Sequence, residues 1–171
     1  MKIMGTKPEG ITIFMAPGST WNTKRWTASG YTELAKLLRA RGAEVVLVGS
    51  KAERALCEEI ARAVPGVRNK AGETSLGDLV QLLRTGRALI TNDSGSMHAA
   101  AISGLPTVAV FGPTTLDLGF RPWSNAAVVV QKDLDCRPCG KHGHDQCPLG
   151  HHNCMEKIEA RQVLEALDAL I

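Results

Sequence analysis

No apolar run in the 171-residue sequence approaches the ~18 residues that a membrane-crossing helix needs. The opening stretch MKIMGTKPEG has neither an apolar core nor a small-residue cleavage site, so it does not read as a secretion signal. A cytoplasmic location is expected, with any membrane link running through a substrate or a partner. Charge of one sign is also lacking: 20 basic side chains face 17 acidic ones, a net +3. That balance is too mild to argue for nucleic acid, though it allows an anionic small ligand where a few basic groups converge. Two glycine signatures are missing as well. No G-x-G-x-x-G follows the first apolar run, and no G-x-x-x-x-G-K-[ST] occurs anywhere. These absences weaken a dinucleotide dehydrogenase and a P-loop ATPase.

What is present is a regular alternation. ITIFMA (11–16), EVVLVG (44–49), a weak run near Val67, ALIT (88–91), TVAVFG (107–112) and AAVVV (126–130) read as strands. Helical patterns fall between them at 31–42, 52–64, 75–86 and 96–104, and a last one covers 159–171. Pro17-Gly18, Gly42, Pro65-Gly66 and Gly86 supply the stops. Continuous apolar strands alternating with helices imply a parallel sheet covered on both faces. The expected fold is α/β, a doubly wound Rossmann-like domain with strand order 3-2-1-4-5-6. Its ligand crevice should open between the C-terminal ends of strands 1 and 4.

Two loops then face each other, although some seventy residues separate them. PGSTWNTKRW (17–26) offers the Ser19 and Thr20 hydroxyls, amides around Gly18, and Lys24. This set suits phosphate oxygens; read blandly, it is a surface turn with a solvated lysine. NDSGSMH (92–98) starts a helix at Ser94, Gly95 and Ser96, whose free amides and dipole make an anion site. Asp93 would repel a phosphate, so it either accepts from sugar hydroxyls or caps the helix. His98 lies one turn in; a lone helical histidine is more often packing than chemistry, although a place beside an anion site narrows that gap. Trp21, Trp26 and Trp123 more often anchor loops than line a pocket.

Four of the five cysteines crowd the C-terminal part, as Cys136-x2-Cys139-x7-Cys147-x6-Cys154, interleaved with His142, His144, His151 and His152. The C-x2-C pair suits one edge of a tetrahedral zinc site. Two disulfides, or four free thiols in a compact loop, are the alternatives. Cys57 sits on a helical pattern and is expected in the core.

The runs APGSTWNTKRWTASGYTELA, AGETSLGDLVQLL and ITNDSGSMHAAAISGLPTVAVFGPTT resemble the ADP-heptose:lipopolysaccharide heptosyltransferases, glycosyltransferase family 9, in its heptosyltransferase II branch. The resemblance covers Ile11 to Ile171 and is to the C-terminal, donor-binding half of a two-domain GT-B enzyme. It implies an inverting transfer of heptose from ADP-heptose to the lipopolysaccharide inner core. Ser19, Thr20 and Lys24 would meet the diphosphate, and Asp93 the donor sugar. Ser94, Gly95 and His98 would surround the phosphates, Thr74 in AGETSL would lie along the adenine, and Glu53 would meet the ribose. Lys24 and Asp93 are thus the expected catalytic pair. No cofactor is implied for the transfer, and a structural zinc would concern only Cys136, Cys139, Cys147 and Cys154. The lipid A–Kdo acceptor and the general base would belong to a missing N-terminal domain, leaving this chain alone inactive. The enzyme would then be peripheral to the inner membrane through its substrate, with no nucleic-acid partner. Residues 1–10 read as an interdomain linker, 11–171 as the domain, and 136–154 as its Cys/His-rich insert. Two other functions are weighed: a metal-stabilised binding module, and another GT-B nucleotide-sugar enzyme such as an epimerase.

Overall fold

A computed structural model describes residues 10–171; apart from Gly10, the expected linker lies outside the described residues. Six strands, β1 (Thr12–Ala16), β2 (Glu44–Leu47), β3 (Arg68–Asn69), β4 (Ala88–Asn92), β5 (Thr107–Phe111) and β6 (Ala127–Gln131), form one parallel sheet. Their order is β3-β2-β1-β4-β5-β6, as expected. The switch point falls between β1 and β4, where Met15 pairs with Ile90 and Ala16 with Thr91.

Helices α1 (Ala28–Ala40), α2 (Arg54–Ala63), α3 (Leu76–Leu83), α4 (Gly95–Ser103), α5 (Asn153–Glu156) and α6 (Ala160–Leu170) cover the sheet. The strand alternation divides the core between two faces. Ile13, Met15, Val45, Leu47, Ile90, Val108 and Val110 pack with Tyr31, Leu34, Ile60, Val163 and Leu167 from α1, α2 and α6. Phe14, Val46, Val48 and Leu89 pack with Leu83, Ala99 and Ala100 from α3 and α4. Small residues on α4 let it lie close to the sheet. Cys57 is fully buried in the first cluster, and burial, helped by the charge of Glu53, pushes its thiol up to about 12.

Most expected boundaries hold within two residues; α3 closes at Leu83, three residues before the expected stop at Gly86, and two further differences stand out. α1 starts three residues before the apolar pattern does, because the Thr27 hydroxyl accepts from the Gly30 amide and caps it. A helical turn, α5, forms within the Cys/His segment at its end, where no sequence periodicity marked it. Among the described residues no helix is long and apolar enough to cross a membrane.

Candidate nucleotide-sugar site

The crevice lies where the strand order places it. Four segments converge on a cavity of about 320 Å³: Ser19 and Thr20 after β1, Gly49, Ser50 and Glu53 after β2, Thr74 to Leu76 with Leu79 entering α3, and Ser94 to Ser96 at the tip of α4. Hydroxyls and glycines dominate its lining, with Leu76 and Leu79 as the apolar wall. Of the residues assigned to ligand contact from sequence, Ser19, Thr20, Glu53, Thr74, Ser94 and Gly95 line this cavity together.

The tip of α4 is open. Ser94 is the N-cap residue, yet its side chain makes no capping hydrogen bond, and of the first-turn amides Met97 donates to the Ser94 carbonyl at 3.1 Å while those of Gly95 and Ser96 keep their donors. Asp93 therefore does not cap the helix, which excludes one of the two roles weighed for it. Its carboxylate turns the other way, with Oδ2 taking the Lys24 ammonium at 2.7 Å and the Thr114 hydroxyl at 2.8 Å. The ion pair is nearly buried, with Lys24 at 8% and Asp93 at 4% side-chain exposure. Lys24 is thus neither a solvated surface lysine nor a free charge in the crevice. The ring of Phe120 covers its ammonium at 4.4 Å.

Glu53 enters the crevice for a steric reason. Its carboxylate accepts from the Ser50 amide at 2.7 Å, closing a capping box around the 3-10 turn Lys51–Glu53. The side chain lies across two glycines. A methyl group at Gly18 would come within 2.2 Å of Glu53 Cδ, and one at Gly49 within 2.8 Å of Glu53 Oε2. Only glycine at both positions leaves room for the carboxylate.

One buried side chain joins the two principal loops. Asn92 Nδ2 donates to the Pro17 and Gly18 carbonyls at 2.9 and 3.0 Å, while its Oδ1 accepts from the Trp26 amide and the Tyr31 hydroxyl, both at 3.0 Å. Its full hydrogen-bonding capacity is used with no exposure. Ser19 Oγ adds a contact to the Asp93 carbonyl, and Arg25 Nε donates to the Ser19 carbonyl at 2.9 Å. Asn92, Thr114 and Arg25 were missed at the level of sequence. Asn92 stands in the NDSG motif itself, and Thr114 in FGPTT, but their partners are fixed only by the fold.

His98 is exposed and does not line the crevice. Trp26 is buried and anchors its loop by donating to the Ile158 carbonyl at 3.0 Å, whereas Trp123 is 69% exposed. The four clustered cysteines are free thiols around one small space of about 20 Å³, with His151 and His152 beside them. Among the described residues, no three His, Cys, Asp or Glu side chains are gathered closely enough to hold an ion. Burial pushes the Cys154 thiol up to about 11, with Arg137 opposing.

Fold and crevice together define the class: a Rossmann-like α/β domain of the GT-B glycosyltransferase type, with a hydroxyl- and glycine-lined crevice at the sheet's switch point. A model of glycosyltransferase family 9 (heptosyltransferase) matches residues 7–151. The lipooligosaccharide heptosyltransferase 2 of Campylobacter jejuni is 36% identical over 90% of this chain and 49% of its own length. The lipopolysaccharide heptosyltransferase 2 of Escherichia coli is 36% identical over 93% of this chain and 46% of its own. The solved structure of E. coli heptosyltransferase II superposes with a TM-score of 0.81, covering 95% of this chain and 47% of that one. The chain belongs to glycosyltransferase family 9. It spans about half the length of the curated relatives it matches.

Proposed function

We propose that this domain binds ADP-heptose and serves as the donor half of an inverting heptosyltransferase acting on the lipopolysaccharide inner core. One observation carries the reading. Hydroxyls after β1, a carboxylate after β2 and the uncapped tip of α4 share one cavity of about 320 Å³. In the proposed complex, the α4 amides and the hydroxyls of Ser19, Thr20 and Ser94 hold the diphosphate. Glu53 accepts from ribose hydroxyls, and the loop at Thr74 lies along the base against Leu76 and Leu79. Asp93 accepts from the heptose.

In this reading, an acceptor hydroxyl attacks the anomeric carbon, the bond to the diphosphate breaks, and ADP leaves with the electron pair. The developing charge is met by the helix tip and by Lys24; one such donor typically contributes ~10²–10³ in rate. Lys24 can serve while still paired with Asp93, because an ammonium carries three donors. The lipid A–Kdo acceptor and the base that deprotonates it are assigned to the half of the relatives' length that this chain does not match. Contact with the inner membrane would then run through that acceptor. Five free thiols suit a reducing compartment, so a cytoplasmic site is part of the proposal.

Calorimetry with ADP and UDP tests the reading. Saturable ADP binding, displaced by ADP-heptose and at least about tenfold tighter than UDP, is expected. A preference for UDP would favour the epimerase-like alternative, and no binding to either would end the donor-site reading.

A structural zinc on the insert is a second reading, favoured by the fact that all four clustered cysteines line one space. The donor set suits a soft tetrahedral ion, but the ion would have to draw the thiols together. Elemental analysis of protein purified without added metal decides it. Stoichiometric zinc without ADP binding would instead favour the metal-stabilised module.

A further inference from the structure

We infer that the Cys/His segment 136–154 is a brace that sets the position of the Lys24–Asp93 pair, with Thr23 as the positioning residue through which it acts. Thr23 immediately precedes the lysine, within the 3-10 turn Asn22–Lys24, and is 4% exposed. Every polar atom it owns is bonded to the segment. Its hydroxyl donates to the His144 carbonyl at 2.7 Å and accepts from the His144 amide at 2.8 Å. Its amide donates to the same carbonyl at 3.1 Å, and its carbonyl lies 2.8 Å from His152 Nε2.

The segment also grips the opposite side of the pair. Cys139 donates its amide to the Pro113 carbonyl at 2.7 Å, and Arg137 donates to the Thr114 carbonyl at 2.9 Å. Thr114 is the residue whose hydroxyl holds Asp93. From above, the His142 ring packs on Phe120 at 5.8 Å, and Phe120 in turn covers Lys24. Two loops far apart in sequence are therefore fastened to one segment, and the ion pair lies where they meet. A buried ion pair is worth having only in good geometry, since each charge has lost its water. The segment supplies that geometry from outside the crevice, with or without a metal at its thiols. Its effect on ADP rests on the donor-site reading; its effect on Lys24 does not.

The test removes the brace from both ends. Thr23→Val deletes one hydroxyl at constant shape. Gly143→Ala acts from within the segment, placing a methyl group 2.8 Å from Thr23 Oγ1. Thr23→Ser restores the hydroxyl. Acetylation of Lys24 is followed by peptide mass spectrometry, normalised to the exposed Lys36, beside ADP calorimetry on the same proteins. In Thr23→Val and Gly143→Ala, where both hydrogen bonds of the Thr23 hydroxyl are lost or displaced, Lys24 labelling should rise at least about tenfold and ADP should bind at least about tenfold more weakly. Thr23→Ser should stay within about twofold of wild type. Lys24 reactivity unchanged in folded Thr23→Val and Gly143→Ala proteins overturns the brace. If the wild type binds no ADP while Lys24 still responds, the brace stands and the donor-site reading falls.

Discussion

Gly95→Ala separates ligand binding from stability at the tip of α4. Gly95 is the first residue of the helix and is exposed, and a methyl group built there meets no atom within 4 Å. The free protein therefore loses nothing. Replacing glycine by alanine within a helix stabilises by up to ~1 kcal/mol, and by less at its first position. For a domain of this size that raises Tm by at most about 2–4 °C. With ligand the sign reverses. The open space beside Gly95 is where a diphosphate would approach the α4 amides, and the methyl group holds it off. Loss of one amide-to-phosphate hydrogen bond costs about 1.5–3 kcal/mol, or roughly ten- to hundredfold in ADP affinity. Differential scanning calorimetry and isothermal titration on one preparation give both numbers. An ADP affinity equal to wild type would show that the phosphates do not use this helix tip.

The Lys24–Asp93 pair gives a second prediction. Lys24→Met strands a buried carboxylate and should cost about 3–5 kcal/mol in urea unfolding, much of which Lys24→Met/Asp93→Asn should recover; strictly additive losses would contradict the pairing. Asn92→Ala removes a side chain with four buried hydrogen bonds, so a loss of about 4 kcal/mol and a Tm lower by about 10 °C are expected; a drop under about 3 °C would deny the hub. Cys57 yields a pH dependence. Its folded thiol is raised from 9.0 to about 12, so between those values the unfolded chain binds fewer protons than the native one. Stability should then fall as pH rises above about 9, by up to ~1.4 kcal/mol per unit, with no contribution below. Urea titrations should show a shallower alkaline loss in Cys57→Ala, and parallel curves would refute the assignment.

Periodicity and punctuation made the fold legible. Runs such as ITIFMA and TVAVFG are short, rich in β-branched and aromatic residues and closed by Pro or Gly, which marks them as buried strands, and they are seen as strands. The strand order followed from reading the alternation as a doubly wound Rossmann-like sheet, and it placed Ser19 and Ser94 across one crevice. What stayed hidden was tertiary in origin. Lys24 and Asp93 were assigned separately to phosphate and sugar, and nothing in their spacing showed that they bond each other. Thr114 and Asn92 carry ordinary polar side chains whose partners come from other elements. His98 followed the right loop but points off the crevice, since a helix turns its fourth residue away from its tip. The Cys/His segment has no periodicity, so neither α5 nor its grip on Thr23 could be read beforehand.

The single amide of Asn92 spans both principal loops, and this has a consequence for motion. Two walls bolted to one buried crosspiece cannot flap independently. A ligand between these two loops would meet walls already set in place. Motion that opens or closes the crevice would then fall to the segments this amide does not touch, at Ser50–Glu53 and Thr74–Leu76.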